Sequence, residues 1–449
     1  MAAPSSARTQ KLLAGPVLPT LASLAAPGLV LAIMQTSVSI ADTHFVGRLG
    51  TDALAGLALV FPLVMLLQMT SAGAMGGGVS SAVARALGAG NAAGARRLVA
   101  HALVIALCAG LVFTALLVGL GHGLYGLLGG KAGALAQALA YSDIVFSGAV
   151  LVWLGNTLAS VLRGSGNTLV PAAIWIAAGA AQIPLSWMLT LGRGPVPALG
   201  IAGTATAYIA AAALASVAMG AYVWRTPLRP RREDWVLDGA IFRDILRVGL
   251  VSSVSALQTV ITAVLVTGFV GTFGTAALAG YGVGLRLELM QVPIVFAIGQ
   301  SLVVLVGTNI GAGQAARAKR IAWIGTGIAA GCSAAIGVTT ALAPSVWVTI
   351  FSSDPAVLET GSTYLRIVAP FYALFGAGVT LYFASQGAGK VVWPVLAGTA
   401  RLAAVLAGGW YAATVLGSLT AVFAAIALGL ALLGILTMAA VHRTRWGRA

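Results

Sequence analysis

Charged side chains are scarce in this sequence. Asp, Glu, Lys and Arg together make up 8% of its 449 residues, whereas apolar side chains make up 59%. An ordinary soluble domain has roughly 25% charged residues, so this chain has too few of them to cover its apolar side chains in water. Runs of about 20 apolar residues, long enough to cross a bilayer as a helix, recur from end to end. The composition therefore predicts an all-α polytopic membrane protein.

Cysteine and histidine are also scarce. Both cysteines, Cys108 and Cys332, fall within apolar runs, where free cysteine behaves as a small buried hydrophobic residue. Neither a disulfide framework nor a metal site is predicted from them. The four scattered histidines do not have the spacing of a metal hydrolase, so we expect no metal cofactor.

No polar segment is long enough to form a soluble catalytic or nucleotide-binding domain. The segment most similar to a phosphate-binding loop contains Gly389 and Lys390. It has Ala384 where the motif requires glycine and Val391 where the motif requires Ser or Thr. Direct use of ATP is therefore not expected. The sequence also lacks the clustered catalytic residues that an integral membrane enzyme would need.

Apolar segments separated by short polar or glycine-containing turns predict twelve membrane spans. Their predicted limits are residues 17–47, 52–86, 96–120, 133–162, 168–192, 197–224, 240–271, 276–309, 319–343, 355–385, 391–415 and 417–441. The loops between consecutive spans must alternate between the two sides of the membrane. A cleaved signal peptide is disfavoured because the first apolar stretch continues past the usual length of a signal.

The basic residues give the chain a net charge of +15, which a nucleic-acid-binding protein could also have. Most of them, from Arg8 near the start to Arg448 near the end, fall on one side of the predicted membrane. Only Arg48, Lys131 and Arg193 fall on the other side. The positive-inside rule then places both termini in the cytoplasm. Membrane topology accounts for the charge, and no nucleic acid partner is predicted.

An internal repeat divides the chain into two halves. Residues 45–56 recur as residues 269–280 with nine identities in twelve positions, and residues 88–97 recur as residues 311–320 at nearly the same spacing. Each half contains six spans, so both halves enter the membrane from the same side, as in transporters with parallel repeats. The substrate of such a transporter would bind between the halves, near the middle of the membrane.

The predicted organisation follows from the repeat and the loops. It comprises a cytoplasmic tail over residues 1–15, an N-lobe over 16–225, a cytoplasmic linker over 226–238, a C-lobe over 239–442 and a second cytoplasmic tail over 443–449. The linker is the one substantial polar connection between spans and is rich in Arg and Pro.

The first span contains an acidic residue deep in apolar sequence. Gln35, Ser39 and Asp42 follow one another at i, i+4 and i+7, which predicts one polar stripe that faces the protein interior. A charged residue at this depth costs roughly 2.5–3.5 kcal/mol on insertion scales, so it usually marks an ion or proton path. The repeat has Val266 at the equivalent position, which favours a function over an architectural need. A structural hydrogen-bond anchor is the alternative.

Asp42 could carry a proton, because burial out of water favours the neutral form of a carboxylic acid. Pro27, about four turns earlier in the span, removes one backbone hydrogen bond and permits a bend. We therefore predict that protonation of Asp42 lets the first helix bend or repack. The N-lobe would then lose affinity for its substrate.

The eighth span contains Arg286 and Glu288. They lie two residues apart and therefore on different faces of the helix, so each needs its own partner or water. Glu288 either couples transport to an ion or belongs to a buried structural pair, and the residues alone leave both roles open.

Several motifs together resemble those of the multidrug and toxic compound extrusion (MATE) family. The matching segments are residues 41–56, 84–90, 162–168, 305–313 and 364–367. The resemblance covers essentially the whole chain. It implies two six-helix lobes in a V shape, and export of cationic or amphipathic compounds in exchange for H⁺ or Na⁺.

The resemblance also implies site residues in the N-lobe. The family's first-helix aspartate matches Asp42, and polar positions of the N-lobe cavity match Asn156, Gln182 and Ser186. Many members have Asn, and then Asp or Asn four residues later, where this chain has Gln182 and Ser186. The site is therefore carried over with changes.

The C-lobe departs further from the family pattern. One branch has acidic residues in the seventh and tenth helices, and the corresponding positions here are Gln258 and Phe375. A C-lobe cation site of that kind is therefore not expected. Sodium requires several hard oxygen ligands, and Asp42 with neutral amides offers a single formal charge, so H⁺ is favoured over Na⁺ as the coupling ion.

A flippase for lipid-linked or polyprenyl substrates is the alternative function, because related exporters share this architecture. Such proteins often have a strongly basic central cavity, whereas only Arg286, Arg366 and Arg401 are embedded here. We accordingly expect a secondary active transporter for small molecules. It would be a monomer that crosses the inner membrane of a bacterium many times.

Overall fold

The computed structural model describes residues 7–193 and 197–447, and helices account for nearly all of them. These residues contain no β-strand. Arg448 and the outermost residues of the two predicted tails lie outside the described residues. The prediction of an all-α membrane protein is confirmed.

Nine α-helices occur in the described residues before the Arg-rich connection. They are α1 (Ala7–Ala14), α2 (Val17–Gly47), α3 (Thr51–Gln68), α4 (Gly76–Gly88), α5 (Ala92–Leu127), α6 (Ala132–Ser147), α7 (Ala149–Gly164), α8 (Leu169–Leu191) and α9 (Ile201–Trp224). A π-helical segment, Met69–Met75, joins α3 to α4. The connection itself contains a short 3₁₀ helix, Arg232–Trp235.

Eight α-helices follow the connection within the described residues. They are α10 (Gly239–Gly271), α11 (Thr275–Gly311), α12 (Ala315–Leu342), α13 (Pro344–Val348), α14 (Pro355–Val368), α15 (Tyr372–Gly387), α16 (Val392–Thr414) and α17 (Leu419–Arg443). A 3₁₀ turn, Ala369–Phe371, joins α14 to α15.

Eleven continuous helical stretches of the described chain are long and apolar enough to cross a membrane. The pair α6 and α7, which meet at a 49° bend, passes the same test when taken together and gives a twelfth span. These twelve stretches correspond one by one to the predicted spans. Gly148 lies at the bend, where an added Cβ would lie 2.6 Å from the Ile209 side chain. Close packing of α9 therefore requires glycine at this point.

The second span changes its helical type at residues 69–75. Thr70 and Ser71 donate hydrogen bonds from their hydroxyls to the carbonyls of Leu66 and Leu67, at 2.7 and 2.6 Å. Hydroxyls that bond to carbonyls one turn back compete with the regular backbone pattern and bend helices. The π-helical turn places Ser71 inside the protein, fully buried.

The helices group into two compact units. Among the described residues, the N unit comprises 26–249 and the C unit comprises 7–25 together with 250–447. The division therefore falls within two helices, in α2 just before Pro27 and in α10 between Gly249 and Leu250. Helix α2 continues unbroken through Pro27. Each unit has its own apolar core.

Both ends of the described chain pack in the C unit. Leu12 of α1 and Trp446 belong to one apolar cluster with Leu302 and Leu305 of α11. Asn309 donates a hydrogen bond from Nδ2 to the carbonyl of Leu12 at 3.2 Å. From Ala7 onwards, the segment that the sequence suggests is a tail is thus a packed helix.

Cys108 and Cys332 are both exposed on the surface of the chain. This corrects the prediction that they are buried in the protein. They lie on the spanning helices α5 and α12, where the surrounding hydrocarbon is as apolar as a protein core. An apolar residue in a span can therefore face outwards without cost.

Candidate functional site

The N unit holds a carboxylate inside a membrane span. Asp42 lies half-buried on α2, and Gln182 of α8 donates from Nε2 to its Oδ2 at 2.9 Å. The second carboxylate oxygen, Oδ1, is buried and accepts no hydrogen bond from a described residue. A buried acceptor without a donor is unfavourable. A proton or a cationic ligand would satisfy it.

Helix α8 meets α2 near this carboxylate at a glycine, Gly179. An added Cβ at Gly179 would lie 3.2 Å from Val38 of α2. Gln182 and Ser186 follow at i, i+4 spacing and are both buried. Ser186 also neighbours the carboxylate of Asp42, although its buried hydroxyl makes no hydrogen bond with a described residue. The structure thus brings together three residues that the sequence analysis proposed.

Asn156 belongs to a second polar network in the N unit. Its Nδ2 donates to Oγ of Ser71 at 2.8 Å and to Oε1 of Gln68 at 3.0 Å. Gln68 in turn donates from Nε2 to the Tyr208 hydroxyl at 2.7 Å. The network connects α3, the π-helical segment, α7 and α9. It accounts for the buried position of Asn156, which is 5% exposed.

Tyr141 is a neighbour of both polar groups, the one that contains Asp42 and the one that contains Asn156. It is buried on α6 and lies within electrostatic range of both Asp42 and Tyr208. Sequence reasoning missed Gln68, Tyr141 and Tyr208 as site residues. The available signal was that each is a polar residue within an apolar span, but the same signal occurs at many positions that line no site.

The predicted polar stripe on α2 is only partly buried. Asp42 is half-buried, whereas Gln35 and Ser39 are exposed on the surface of the chain. The prediction that the stripe faces the protein interior therefore holds for Asp42 alone. A polar pattern within a span identifies one face of the helix, but it does not distinguish a face that contacts protein from a face that contacts water.

The C unit contains its own acidic residue inside a span. Glu288 lies half-buried on α11 and accepts a hydrogen bond at Oε2 from the Tyr364 hydroxyl at 2.8 Å. Tyr364 is fully buried on α14, and its ring occupies the space that a side chain at Gly284 would fill. The ring of Tyr281 packs edge-on to Tyr364, with centroids 5.5 Å apart.

Arg401 supplies a positive charge to this cluster. It lies on α16 within electrostatic range of Glu288, and the two side chains do not form an ion pair within 4 Å. Its Nε is buried and donates to no acceptor in the described part of the chain. The guanidinium lies 6.0 Å from the centre of the Phe375 ring. The C unit therefore holds both signs of charge within its membrane-spanning region.

The two remaining predicted positions of the C unit have separate partners. Gln258 is buried and donates from Nε2 to the Thr399 hydroxyl at 2.8 Å, while its Oε1 is buried without a donor among the described residues. Arg286 is exposed and lies 5.1 Å from the centre of the Phe351 ring. Arg286 and Glu288 thus point to different partners, as their spacing predicts.

Metal ligands are not clustered in the described residues, since these contain no group of three or more His, Cys, Asp or Glu side chains that could hold a metal ion. The chemistry available at both acidic positions is therefore proton transfer, hydrogen bonding and attraction of cations.

Comparison with known proteins places this geometry in a family. A family profile described as MatE matches residues 27–188 and 252–411, one segment in each half of the repeat. An FAD transporter of Shewanella oneidensis is 28% identical over 384 residues, which covers 83% of this chain and 82% of that protein. A probable multidrug resistance protein NorM of Deinococcus radiodurans is 28% identical over 449 residues, covering 95% of each chain.

Solved structures show the same fold. A MOP superfamily transporter from Pyrococcus furiosus superposes with a TM-score of 0.88 over 98% of this chain and 100% of that chain, at 22% sequence identity. The expected resemblance is confirmed along most of the sequence, and the protein is a transporter rather than an enzyme. The chain belongs to the MatE family.

Proposed function

We propose that this protein exports small cationic or amphipathic compounds in exchange for H⁺, with Na⁺ as the alternative coupling ion, by alternating access of its two lobes. The observation that carries the proposal is the carboxylate of Asp42, which has one oxygen held by Gln182 and one buried oxygen without a donor. The name of the Deinococcus relative, a probable multidrug resistance protein, supports the substrate class.

In antiport, the proton and the substrate must compete for one site, and in this proposal a single oxygen atom of Asp42 is that site. The Oδ1 atom of Asp42 can take a proton or accept a hydrogen bond from a cationic substrate, but it cannot do both at once. Proton loading therefore weakens cation binding, and cation binding weakens proton loading by the same factor. Gln182 orients the carboxylate by holding its other oxygen.

The polar atoms around Asp42 favour a proton over sodium. Gln182 presents its amide nitrogen, a donor, to the carboxylate. A hard cation needs several oxygen ligands, and this arrangement supplies one carboxylate and the neighbouring hydroxyl of Ser186. One proton that moves through 100 mV releases about 2.3 kcal/mol, which corresponds to roughly a 50-fold gradient of a neutral substrate. Exchange of one proton for one monovalent cation moves no net charge, so the pH gradient alone drives it.

Aromatic and amide side chains of the N unit supply the substrate contacts in this proposal. The rings of Tyr141 and Tyr208 can attract a cation through their faces. Asn156 supports the Gln68 amide that Tyr208 contacts. Gln35 and Ser39, which are exposed, would line the aqueous approach to the carboxylate.

Pro27 gives α2 a point at which it can bend. Its ring nitrogen donates no backbone hydrogen bond, which weakens the helix at this turn. Loss of the charge on Asp42 removes the main reason for the carboxylate to stay with Gln182. A change at Asp42 can then be passed along α2 as a bend at Pro27.

Glu288 is the second protonation site in this proposal, and Gln258 lines the same C-lobe region. The hydroxyl of Tyr364 donates to Glu288, and Arg401 lies within electrostatic range. Protonation of Glu288 would leave Arg401 without a counter-charge. Arg401 would then favour a different position, which is the kind of change that can accompany a transport step.

Both termini are assigned to the cytoplasm of a bacterium in the same proposal. The excess of arginine on their side of the spans supports this orientation. The transporter would act as a monomer, since each polypeptide contains both halves of the repeat.

The proposal is tested by transport in proteoliposomes that contain the purified full chain. Movement of a fluorescent organic cation is followed under an imposed pH gradient, an imposed sodium gradient, or neither. Transport that follows the pH gradient and collapses with a proton ionophore is expected. Equal transport without any gradient would refute antiport.

Asp42→Asn is the decisive variant. It keeps the size of the side chain but cannot cycle a proton, so we expect proton-driven transport to fall to the background of empty liposomes. Asp52→Asn is the matched control because Asp52 is exposed in the first turn of α3. Normal transport by Asp42→Asn, with both variants equally inserted, would reject the assignment.

A flavin dinucleotide is the second candidate substrate. The observation that favours it is the 28% identity with the FAD transporter of Shewanella oneidensis over 83% of this chain. A dinucleotide carries negative charge, so it should not compete for Oδ1 of Asp42. Uptake of FAD that persists in Asp42→Asn, together with no transport of the cation by the unmodified protein, would favour this substrate.

A further inference from the structure

The Arg-rich connection between α9 and α10 borders an open pocket that the transport mechanism does not use. The pocket has a volume of about 540 Å³. Its lining includes Arg96 of α5, Trp224 at the end of α9, and Arg229, Arg232 and Trp235 of the connection. Arg231, which pairs with Glu233 at 3.7 Å, lines it too. Four guanidinium groups and two indole rings thus line one cavity.

The walls of the pocket are held in place by hydrogen bonds. Asp234, which is 2% exposed, accepts from the backbone N–H of Arg231 at 2.8 Å and from Nε of Arg96 at 3.2 Å. The backbone N–H of Asp238 donates to Nε2 of the buried His101 at 2.9 Å. The connection is therefore a folded element and not a loose linker, with its backbone held at Arg231 and Asp238.

Two of the arginines in the pocket have no counter-charge. Arg96 is neutralised by Asp234. Neither Arg229 nor Arg232 has a carboxylate within 4 Å among the residues that the structure describes. Arginine presents donors in a planar fork that matches phosphate and carboxylate geometry. The pocket is therefore built to receive an anion.

Helix ends place the pocket at the surface of the membrane. Trp224 is the last residue of the spanning helix α9, and Arg96 lies in the second turn of the spanning helix α5. Tryptophan is enriched at this depth, beside the lipid headgroups. Val236 and Leu237, next to the pocket, are 65% and 58% exposed. Such side chains suit contact with acyl chains better than contact with water.

We propose that this pocket binds the phosphate headgroup of an anionic phospholipid. Arg229 and Arg232 contact the phosphate, the two indole rings flank the glycerol region, and Val236 and Leu237 contact the start of an acyl chain. The positive-inside rule alone explains arginines on this side of the membrane. It does not explain why they converge with two tryptophans on a cavity whose walls are fixed.

Lipid binding is measured on the purified full chain by native mass spectrometry, with phosphatidylglycerol and phosphatidylcholine titrated separately. We expect retention of phosphatidylglycerol and much weaker retention of phosphatidylcholine. The variant Arg229→Gln with Arg232→Gln should bind phosphatidylglycerol more weakly by a factor on the order of 30, since each basic residue near an anionic surface contributes a factor of about five.

The control variant is Arg225→Gln with Arg243→Gln. It removes the same charge from positions that do not line the pocket and should change phosphatidylglycerol binding by less than about threefold, because neither arginine would contact the bound headgroup. Equal loss in both variants would overturn the proposal, because general charge would then explain binding. Equal retention of both lipids by the unmodified protein would also overturn it.

Soluble pyrophosphate distinguishes a lipid site from a site for free phosphate. We expect millimolar pyrophosphate to leave phosphatidylglycerol bound, because it cannot reproduce the acyl contact with Val236 and Leu237. Displacement of the lipid by pyrophosphate would reject the lipid assignment. Melting temperatures measured without added lipid should agree between the variants, since all four arginines lie outside the apolar cores.

Discussion

The hydrogen bond between Tyr364 and Glu288 can be measured with a double-mutant cycle. Tyr364→Phe removes the hydroxyl that lies 2.8 Å from Oε2 of Glu288. It keeps the ring that packs edge-on against Tyr281 and Phe423. Glu288→Leu, which removes the acceptor oxygens, and the double variant complete the cycle, and the coupling free energy then reports the pairwise interaction.

The expected coupling depends on the charge of Glu288. Hydrogen bonds inside a membrane protein average about 0.6 kcal/mol in such cycles, whereas a hydrogen bond to a charged group contributes roughly 1.5–3 kcal/mol. Tyr364 is fully buried, so water does not compete for its hydroxyl. With Arg401 in electrostatic range of the carboxylate, we expect a coupling of about 1.5–3 kcal/mol.

The assay is reversible unfolding of the purified protein in mixed micelles, with the free energy of unfolding measured for all four proteins. A coupling below about 0.5 kcal/mol would mean that the two side chains act independently, and the structural reasoning would be refuted. Transport measured in parallel separates stability from function. Glu288→Gln should abolish proton-driven transport, whereas Tyr364→Phe should retain most of it.

Three further substitutions test the packing and hydrogen bonding of the N unit. Gly203→Ala should lower the free energy of unfolding by about 1–3 kcal/mol, because its Cβ would lie 2.5 Å from the carbonyl of Leu189. Gly119→Ala should raise the free energy of unfolding by up to about 1 kcal/mol, because its Cβ would meet nothing within 4 Å. Equal effects of the two would contradict the packing argument. His101→Ala should cost about 1–3 kcal/mol, because the backbone N–H of Asp238 loses its acceptor; an unchanged melting temperature would show that this bond is dispensable.

The spans were predictable because their signal is local. A helix in hydrocarbon needs only length and apolar composition, so all twelve predicted segments correspond to helical stretches of the structure. The bend at Gly148 and the π-helical segment 69–75 were not predicted. Both depend on how a neighbouring helix or a side-chain hydroxyl approaches the backbone. The length of an apolar segment in the sequence does not indicate either approach.

The sequence predicted the two acidic residues of the candidate site, but it did not predict most of the side chains that form hydrogen bonds with them. Asp42 and Glu288 stand out because a carboxylate within an apolar span is unfavourable and usually has a function there. Gln182 is 140 residues from Asp42, and Tyr364 is 76 residues from Glu288. Such pairs depend on the rotation and depth of separate helices. The family resemblance supplied Gln182, and nothing in the sequence indicated Tyr364 as the donor to Glu288.

The packing of both chain ends in the C unit has a practical consequence for handling the protein. Leu12 and Trp446 share one apolar cluster, and Arg317 donates to the carbonyl of Gly15 at 2.5 Å. A truncation that begins at Val17, or a bulky fusion joined directly after Trp446, would therefore disturb folded structure. Affinity tags need a flexible spacer at either end, and proteases should cut only slowly within Ala7–Ala14 and at Trp446.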